Sequence, residues 1–288
     1  MGINKALTGH CMSLQKRKLG RTGVEVTTLG LGGEGILRTF GHDAAAVQLI
    51  NHALDLGINY CESARAYAGS ESYYGNALKD RRREVFLTSK SHARDKNGAA
   101  AHLRETLSNM RTDYLDLWQV HDVRTDDDVE RIFGPKGAIE AFIEAKEKGL
   151  TRFIGVTGHQ NASIIKRCIE KFDFDTVLLP VNPAESSHNG FLEEVIPLAN
   201  MKQMGIIGMK VYFRGFAAKL PFYDTMEPFL RFALSQPITT SVIGCDSIAQ
   251  LEQNVNFAAD FKQMSEIETQ ELKETVAPYA RSLMFYKP

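Results

Sequence analysis

The chain has 288 residues, a near balance of 34 Lys plus Arg against 35 Asp plus Glu, and a formal net charge of −1. That balance offers no electrostatic footprint for a nucleic acid or an anionic membrane. The apolar share of 43% is enough for a full globular core, and no apolar run nears the roughly 18 residues of a membrane span. Cys11, Cys61, Cys168 and Cys245 are too scattered for a metal site or a disulfide framework, so reduced thiols and a cytoplasmic setting are expected. The opening Met1-Gly-Ile-Asn-Lys-Ala-Leu-Thr-Gly-His10 lacks the apolar core of a secretory signal, and residues 1–15 are expected to be flexible.

In chain order, Arg17-Lys-Leu-Gly-Arg-Thr-Gly23-Val-Glu-Val reads as two short strands around a turn, a hairpin suited to closing one end of a barrel. Strand-like runs follow at 26–32, 58–62, 85–90, 115–121, 153–157, 176–181, 205–211 and 240–244. Helical patterns alternate with them at 43–56, 70–79, 97–110, 135–148, 161–171, 191–204, 224–235 and 246–257. Asp43 is expected to cap the first helix, and Gly57, Gly149 and Gly205 to end theirs. Pro197 should kink the sixth or make it start later. Runs apolar on both faces, such as Val177-Leu-Leu, suit parallel strands covered by helices. Eight such units in one unbroken chain predict a single-domain α/β protein with a (β/α)8 TIM barrel, the N-terminal β-hairpin and an extra C-terminal helix over 265–277. A doubly wound open sheet is the alternative. The tail, 281–288, carries Phe285 and Tyr286 and either folds over a pocket rim or frays.

Active sites of such barrels lie at the C-terminal strand ends. Glu62, in the run Glu62-Ser-Ala-Arg-Ala-Tyr67, ends the second strand, Lys90 the third and His121 the fourth. This set suits delivery of a proton to a carbonyl oxygen. Tyr67 is the acid, Lys90 a cation expected to lower the phenol's pKa, Glu62 the lysine's counter-charge, and His121 a hydrogen-bonding guide for the carbonyl. Singly, each is as readily a solvated rim residue; the joint placement carries the signal. Phe133, Phe213, Phe222 and Tyr223 are candidates for an apolar substrate wall, whereas Trp118 reads as core. His159, Glu185 and His188 match no metal-ligand spacing, so no metal is expected.

With Lys18-Leu-Gly-Arg-Thr-Gly23, Ser70-Glu71, Gly75, Leu78, Gly155-Val-Thr-Gly158, Ile243-Gly244 and Gln250-Leu-Glu-Gln-Asn254 added, the chain resembles the aldo-keto reductases from about Lys16 to Asn254. The resemblance implies reduction of a small aldehyde or ketone by hydride from NADPH or NADH, with Tyr67 as general acid. It also implies a nucleotide-binding set of Gly33, Thr157, Gly158, His159, Asn182, Met209, Lys210, Gly215, Gly244, Asp246, Gln250 and Asn254. The alternative reading is a nicotinamide-binding regulatory or redox-sensing protein with weak turnover.

The departures from that family are specific. Glu62 stands where the family has Asp, and Thr157-Gly158 where it has Ser-Asn. Leu178 replaces a Gln, Met209 an aromatic residue, and Lys210 a Ser near the diphosphate. No cation falls between Gly244 and Asn254, where NADPH-preferring members hold the 2′-phosphate; Asp246 would repel that phosphate but suit a free 2′-hydroxyl.

Overall fold

A computed structural model describes residues 13–188 and 190–287; most of the stretch 1–15 therefore lies outside the described residues. Eight parallel strands close into a barrel. They are β3 (Leu29–Gly35), β4 (Tyr60–Glu62), β5 (Phe86–Ser91), β6 (Leu115–Val120), β7 (Thr151–Thr157), β8 (Thr176–Pro180), β9 (Gly205–Met209) and β10 (Thr240–Cys245). Preceding them, β1 (Lys16–Lys18) and β2 (Glu25–Thr27) form the antiparallel hairpin. Helices α1 (Asp43–Asp55), α2 (Ser70–Leu78), α3 (Lys96–Met110), α4 (Asp126–Phe133), α5 (Ala138–Glu147), α6 (Ala162–Lys171), α7 (Phe191–Glu194), α8 (Ile196–Met201), α9 (Glu227–Ser235) and α10 (Ile248–Ala259) surround the barrel. They are followed by α11 (Glu266–Val276) and α12 (Ala280–Leu283).

Strand alternation sorts the side chains into two cores. Inward-facing Tyr60, Phe86, Leu117, Leu178, Ile207 and Val242 fill the barrel, while their neighbours Cys61, Leu87 and Trp118 pack under the helices. Leu19 and Val26 of the hairpin join the interior cluster, so the hairpin plugs the N-terminal end. Gly20, at φ +49°, lies so close to β9 that a Cβ would sit 2.3 Å from the Gly205 nitrogen. The end opposite the plug stays open for chemistry.

Several local expectations shift. The run 26–32 divides between β2 and β3, because Thr27 is tied to Asn59 and to the Leu29 carbonyl at the crossing from hairpin to barrel. Asp43 is the first residue of α1, with His42 at the cap position and no side-chain cap bond. Gly205 begins β9 instead of ending a helix: the left-handed residue after α8 is Gln203, and Gly205 leaves room for Leu19, 2.6 Å from where its Cβ would be. The sixth helical pattern is broken at Val195 into α7 and α8, with Pro197 in the first turn of α8. The stretch 122–134, which falls between the expected strand 115–121 and helix 135–148, contains α4, capped by the Thr125 hydroxyl on the Asp128 N–H. In α11, Ser265 and Glu268 form the expected capping box. Gly30-Leu-Gly-Gly-Glu-Gly35 has dinucleotide-loop spacing, yet it lies within β3 and serves packing; a Cβ at Gly30 would meet the Tyr60 ring at 2.8 Å.

Candidate active site

The alternation that buries Tyr60, Phe86 and Leu117 also aims the site. Two residues past Tyr60 comes Glu62; past Phe86 come Thr88 and Lys90; past Leu117 come Gln119 and His121. Each therefore projects into the barrel's upper mouth. Lys90 is 1% exposed and Glu62 4%, and the Lys90 Nζ donates to Glu62 Oε1 and, at 2.9 Å, to the Ser63 carbonyl. The second Glu62 oxygen, Oε2, has no hydrogen-bond partner among the described residues.

Tyr67 lies on the β4–α2 loop, turned back by its N–H on the Ala64 carbonyl at 2.9 Å. Gly33 makes room for it: a Cβ there would approach the Tyr67 ring to 2.9 Å and the Glu62 carbonyl to 2.7 Å. The ring centroid is 5.0 Å from Lys90 Nζ, 5.2 Å from the Arg38 guanidinium and 6.0 Å from the His121 ring, which meets it edge-on.

The electrostatics differ from expectation at one point. Burial, then the carboxylates of Glu62 and Glu34, pushes the Tyr67 phenol well above its usual value near 10. Lys90 does not bring it down, since its ammonium bonds to Glu62 and Ser63 instead. Burial lowers Lys90 despite the opposing pull of Glu62, and burial followed by Lys90 drives His121 well below 6.5. The site thus presents a protonated phenol, a carboxylate-held lysine and a neutral imidazole. A neutral imidazole can donate one hydrogen bond to a carbonyl oxygen.

Two cavities open above these groups. The first, about 490 Å³, is lined by Tyr67, Lys90, His121, Thr157, His159 and Met209, among others. The second, about 640 Å³, runs between the loop after β9 and the start of α10, past Gly215, Gly244, Asp246, Gln250 and Asn254. Glu34, Arg38, Lys210 and Arg214 line both and form the wall they share.

Gly33, Gly158 and Asn182 line neither cavity. Gly158 packs under Ile165 of α6, at 2.4 Å from where its Cβ would be. The Asn182 amide donates to the Tyr286 hydroxyl at 2.9 Å and to the Lys210 carbonyl at 3.3 Å. Phe133, Phe213 and Phe222 also stand outside both cavities: Phe213 is buried in the outer core, and Phe133 packs on Phe174. Only Tyr223 of that set reaches a cavity, the second. The aromatic wall comes instead from the tail, where Phe285 and Tyr286 line the first cavity beside Lys287. The Tyr286 hydroxyl donates to Glu185 Oε1 at 2.8 Å and Lys287 Nζ to Glu185 Oε2 at 2.7 Å, which docks the tail.

Sequence reading passed over Glu34, Arg38 and Arg124. No strand-end rule selects Arg38, which ends the 3-10 turn Ile36–Arg38, or Arg124, which reaches the mouth from a loop. Glu34 was legible, being within the first barrel strand's continuation.

With the parallel eight-strand barrel and the side chains at its open end in place, the comparisons settle the class: the chain belongs to the aldo/keto reductase family. The family's model, described as "Aldo/keto reductase family", matches residues 28–224. An uncharacterized oxidoreductase of Bacillus subtilis, YqkF, is 24% identical, with 90% of this chain and 96% of that protein covered. L-galactose dehydrogenase of Arabidopsis thaliana is 25% identical, covering 88% and 93%. Among solved structures, an aldo-keto reductase from Klebsiella pneumoniae in complex with NADPH superposes with a TM-score of 0.78 at 18% identity, covering 92% and 96%. The holo form of one from Bacillus halodurans gives 0.77 at 22%, covering 91% and 96%.

Proposed function

We propose that this chain reduces a small aldehyde or ketone, with Tyr67 as the general acid. The observation that carries the reading is the meeting of Tyr67, Lys90 and His121 at one cavity, with Glu62 paired to Lys90 behind it. A reduced nicotinamide, when bound, supplies the hydride to the carbonyl carbon. The chain's own residues do the rest. His121 orients the carbonyl oxygen through a hydrogen bond, and Tyr67 transfers its phenolic proton to that oxygen as negative charge develops there. A phenol held above its usual value stays protonated at neutral pH, so the proton is in place when negative charge develops on the carbonyl oxygen. Lys90, held by Glu62 and the Ser63 carbonyl, is fixed 5.0 Å from the Tyr67 ring centroid on the same cavity wall.

The shared wall and the second cavity fit the nucleotide. Lys210 and Arg214 supply cations for a diphosphate, and Met209 can cover a ring face. The groove's far end offers Asp246, Gln250, Gln253 and Asn254, with no cation among its described lining residues. That donor set suits a free 2′-hydroxyl, so NADH is the expected donor over NADPH.

The test is turnover of a panel of simple aldehydes with each nucleotide. Tyr67→Phe is expected to lower kcat by roughly 10²- to 10⁴-fold while leaving nucleotide affinity in place. A hundredfold preference for NADPH would overturn the reading of Asp246. Tight nucleotide binding without turnover on any substrate would favour the regulatory alternative.

A further inference from the structure

The wall between the two cavities holds a carboxylate where a cation-only site would be expected. Glu34 Oε1 accepts from Arg38 Nη1 at 2.7 Å and from Lys210 Nζ at 3.2 Å, and Glu34 Oε2 lies 3.4 Å from Arg214 Nε. One carboxylate thus gathers three cations from two separate segments, the end of β3 and the loop after β9. The arrangement is built. Lys210, Phe213 and Arg214 have left-handed backbones at φ 57°, 51° and 55°, which non-glycine residues adopt only when the surroundings hold them there. Gly35, at φ 67°, brings Glu34 against β10, where a Cβ would meet the Cys245 carbonyl at 2.4 Å. Lys210 is only 12% exposed at its side chain and Glu34 22%, so the pairing is weakly screened by solvent.

A dinucleotide with its reactive ring near Tyr67 and its other end near Gln250 must cross this wall, and its diphosphate is the part that lies there. Resting on the reductase reading above, we infer that Glu34 is an intramolecular competitor for the diphosphate: its carboxylate takes the donors of Lys210 and Arg214, weakens nucleotide binding and speeds nucleotide release. Two anions drawn to the same cations within about 4 Å repel each other, so binding the second either displaces the first or suffers its charge. The wall carries three positive charges and one negative, a net of two that a diphosphate's two negative charges balance. Without the Glu34 charge the site would be over-compensated and would hold the nucleotide too long for a step that is often rate-limiting.

The experiment compares the full-length protein with Glu34→Gln, Glu34→Ala and, as a control, Asp246→Asn, which removes a charge from the far end of the same groove. Calorimetric titration measures Kd for NADH, NADPH and inorganic pyrophosphate, and stopped-flow displacement measures the release rate of NADH. Both position-34 variants are expected to bind NADH and pyrophosphate about tenfold more tightly and to release NADH correspondingly more slowly, a change of about 1.4 kcal/mol. Asp246→Asn is expected to leave pyrophosphate affinity unchanged. Unchanged or weaker pyrophosphate binding in both position-34 variants, with melting temperatures near that of the parent, would overturn the inference and make Glu34 a scaffold for its cations. An equal gain in Asp246→Asn would overturn it too, assigning the effect to net charge. If neither nucleotide bound to the parent protein, the reductase reading would fall, while the pyrophosphate titration would still decide whether Glu34 competes for the cations.

Discussion

Glu62 is a buried carboxylate that answers a buried ammonium, and its extra methylene does not prevent the pairing with Lys90. The longer arm leaves Oε2 without a hydrogen-bond partner among the described residues, a cost a shorter acid is expected to avoid. Glu62→Asp should therefore keep or raise turnover, as measured by kcat on one aldehyde. A loss as deep as that of Tyr67→Phe would show Glu62 to be tuned to its place. Glu62→Gln, by contrast, strands the Lys90 charge; urea denaturation at pH 7 is expected to show a loss of about 3–5 kcal/mol. Strand alternation made the shared direction of Glu62, Lys90 and His121 legible in the sequence. The expected Glu62–Lys90 pairing is formed, but the sequence could not reveal that the Ser63 carbonyl also holds Lys90, nor that burial raises the Tyr67 phenol, because both depend on the tertiary packing around the mouth.

Elements that meet only through the tertiary fold complete the mouth. The tail is fastened by a carboxylate, Glu185, that is fully buried and whose pKa burial raises against the pull of Lys287. Lys287→Met removes the cation and leaves that carboxylate buried without it. The expected result is an undocked tail, seen as new C-terminal cleavage in limited proteolysis at unchanged barrel circular dichroism. A tail that stays protected would show that Phe285 and Tyr286 hold it alone. Helix α4 was readable from Thr125-Asp-Asp-Asp with Val129, Ile132 and Phe133 at helical spacing, a capped start with acids in the first turn. Only its short length, between a strand and a second helix, disguised it as a loop. Thr125→Ala should cost about 1 kcal/mol in chemical denaturation. The tail had no such signal, since its partner Glu185 is 101 residues from Tyr286, in the short 3-10 turn Glu185–Ser187.

Across the whole molecule, closing the barrel half-buries His121 and His159 and favours their neutral forms, and this sets the response to acid. Burial, partly offset by Asp122, lowers His159 from 6.5 to about 4, and His121 falls in the same direction. The unfolded chain takes up the His159 proton near pH 6.5 and the folded chain only near 4, so the unfolded state binds more protons in between, and His121 acts in the same direction. Stability is therefore complete above about pH 6.5 and declines as the pH falls toward 4, with His159 contributing at most about 3 kcal/mol to the decline. His159→Gln is expected to flatten the loss between pH 7 and pH 5 in thermal melts. An unchanged slope would place the acid sensitivity elsewhere. The plug is a second global determinant. Gly20→Ala forces a Cβ into the β9 backbone from a left-handed φ, and a melting temperature equal to the parent's would show that the hairpin is dispensable.

The sequence by itself determined the alternation of strands and helices, the closed parallel barrel and the strand-end side chains that point into its mouth. All follow from periods of two and 3.6 residues and from short-range punctuation, which are local physics. Only the tertiary structure decided which charges pair across distant segments, which groups stay neutral and which segments wall the cavities. Glu34 meets Lys210 across 176 positions and Asn182 meets Tyr286 across 104. Burial and Coulomb interaction depend on distance in space, and along a chain that folds into a ring that distance bears no fixed relation to sequence separation.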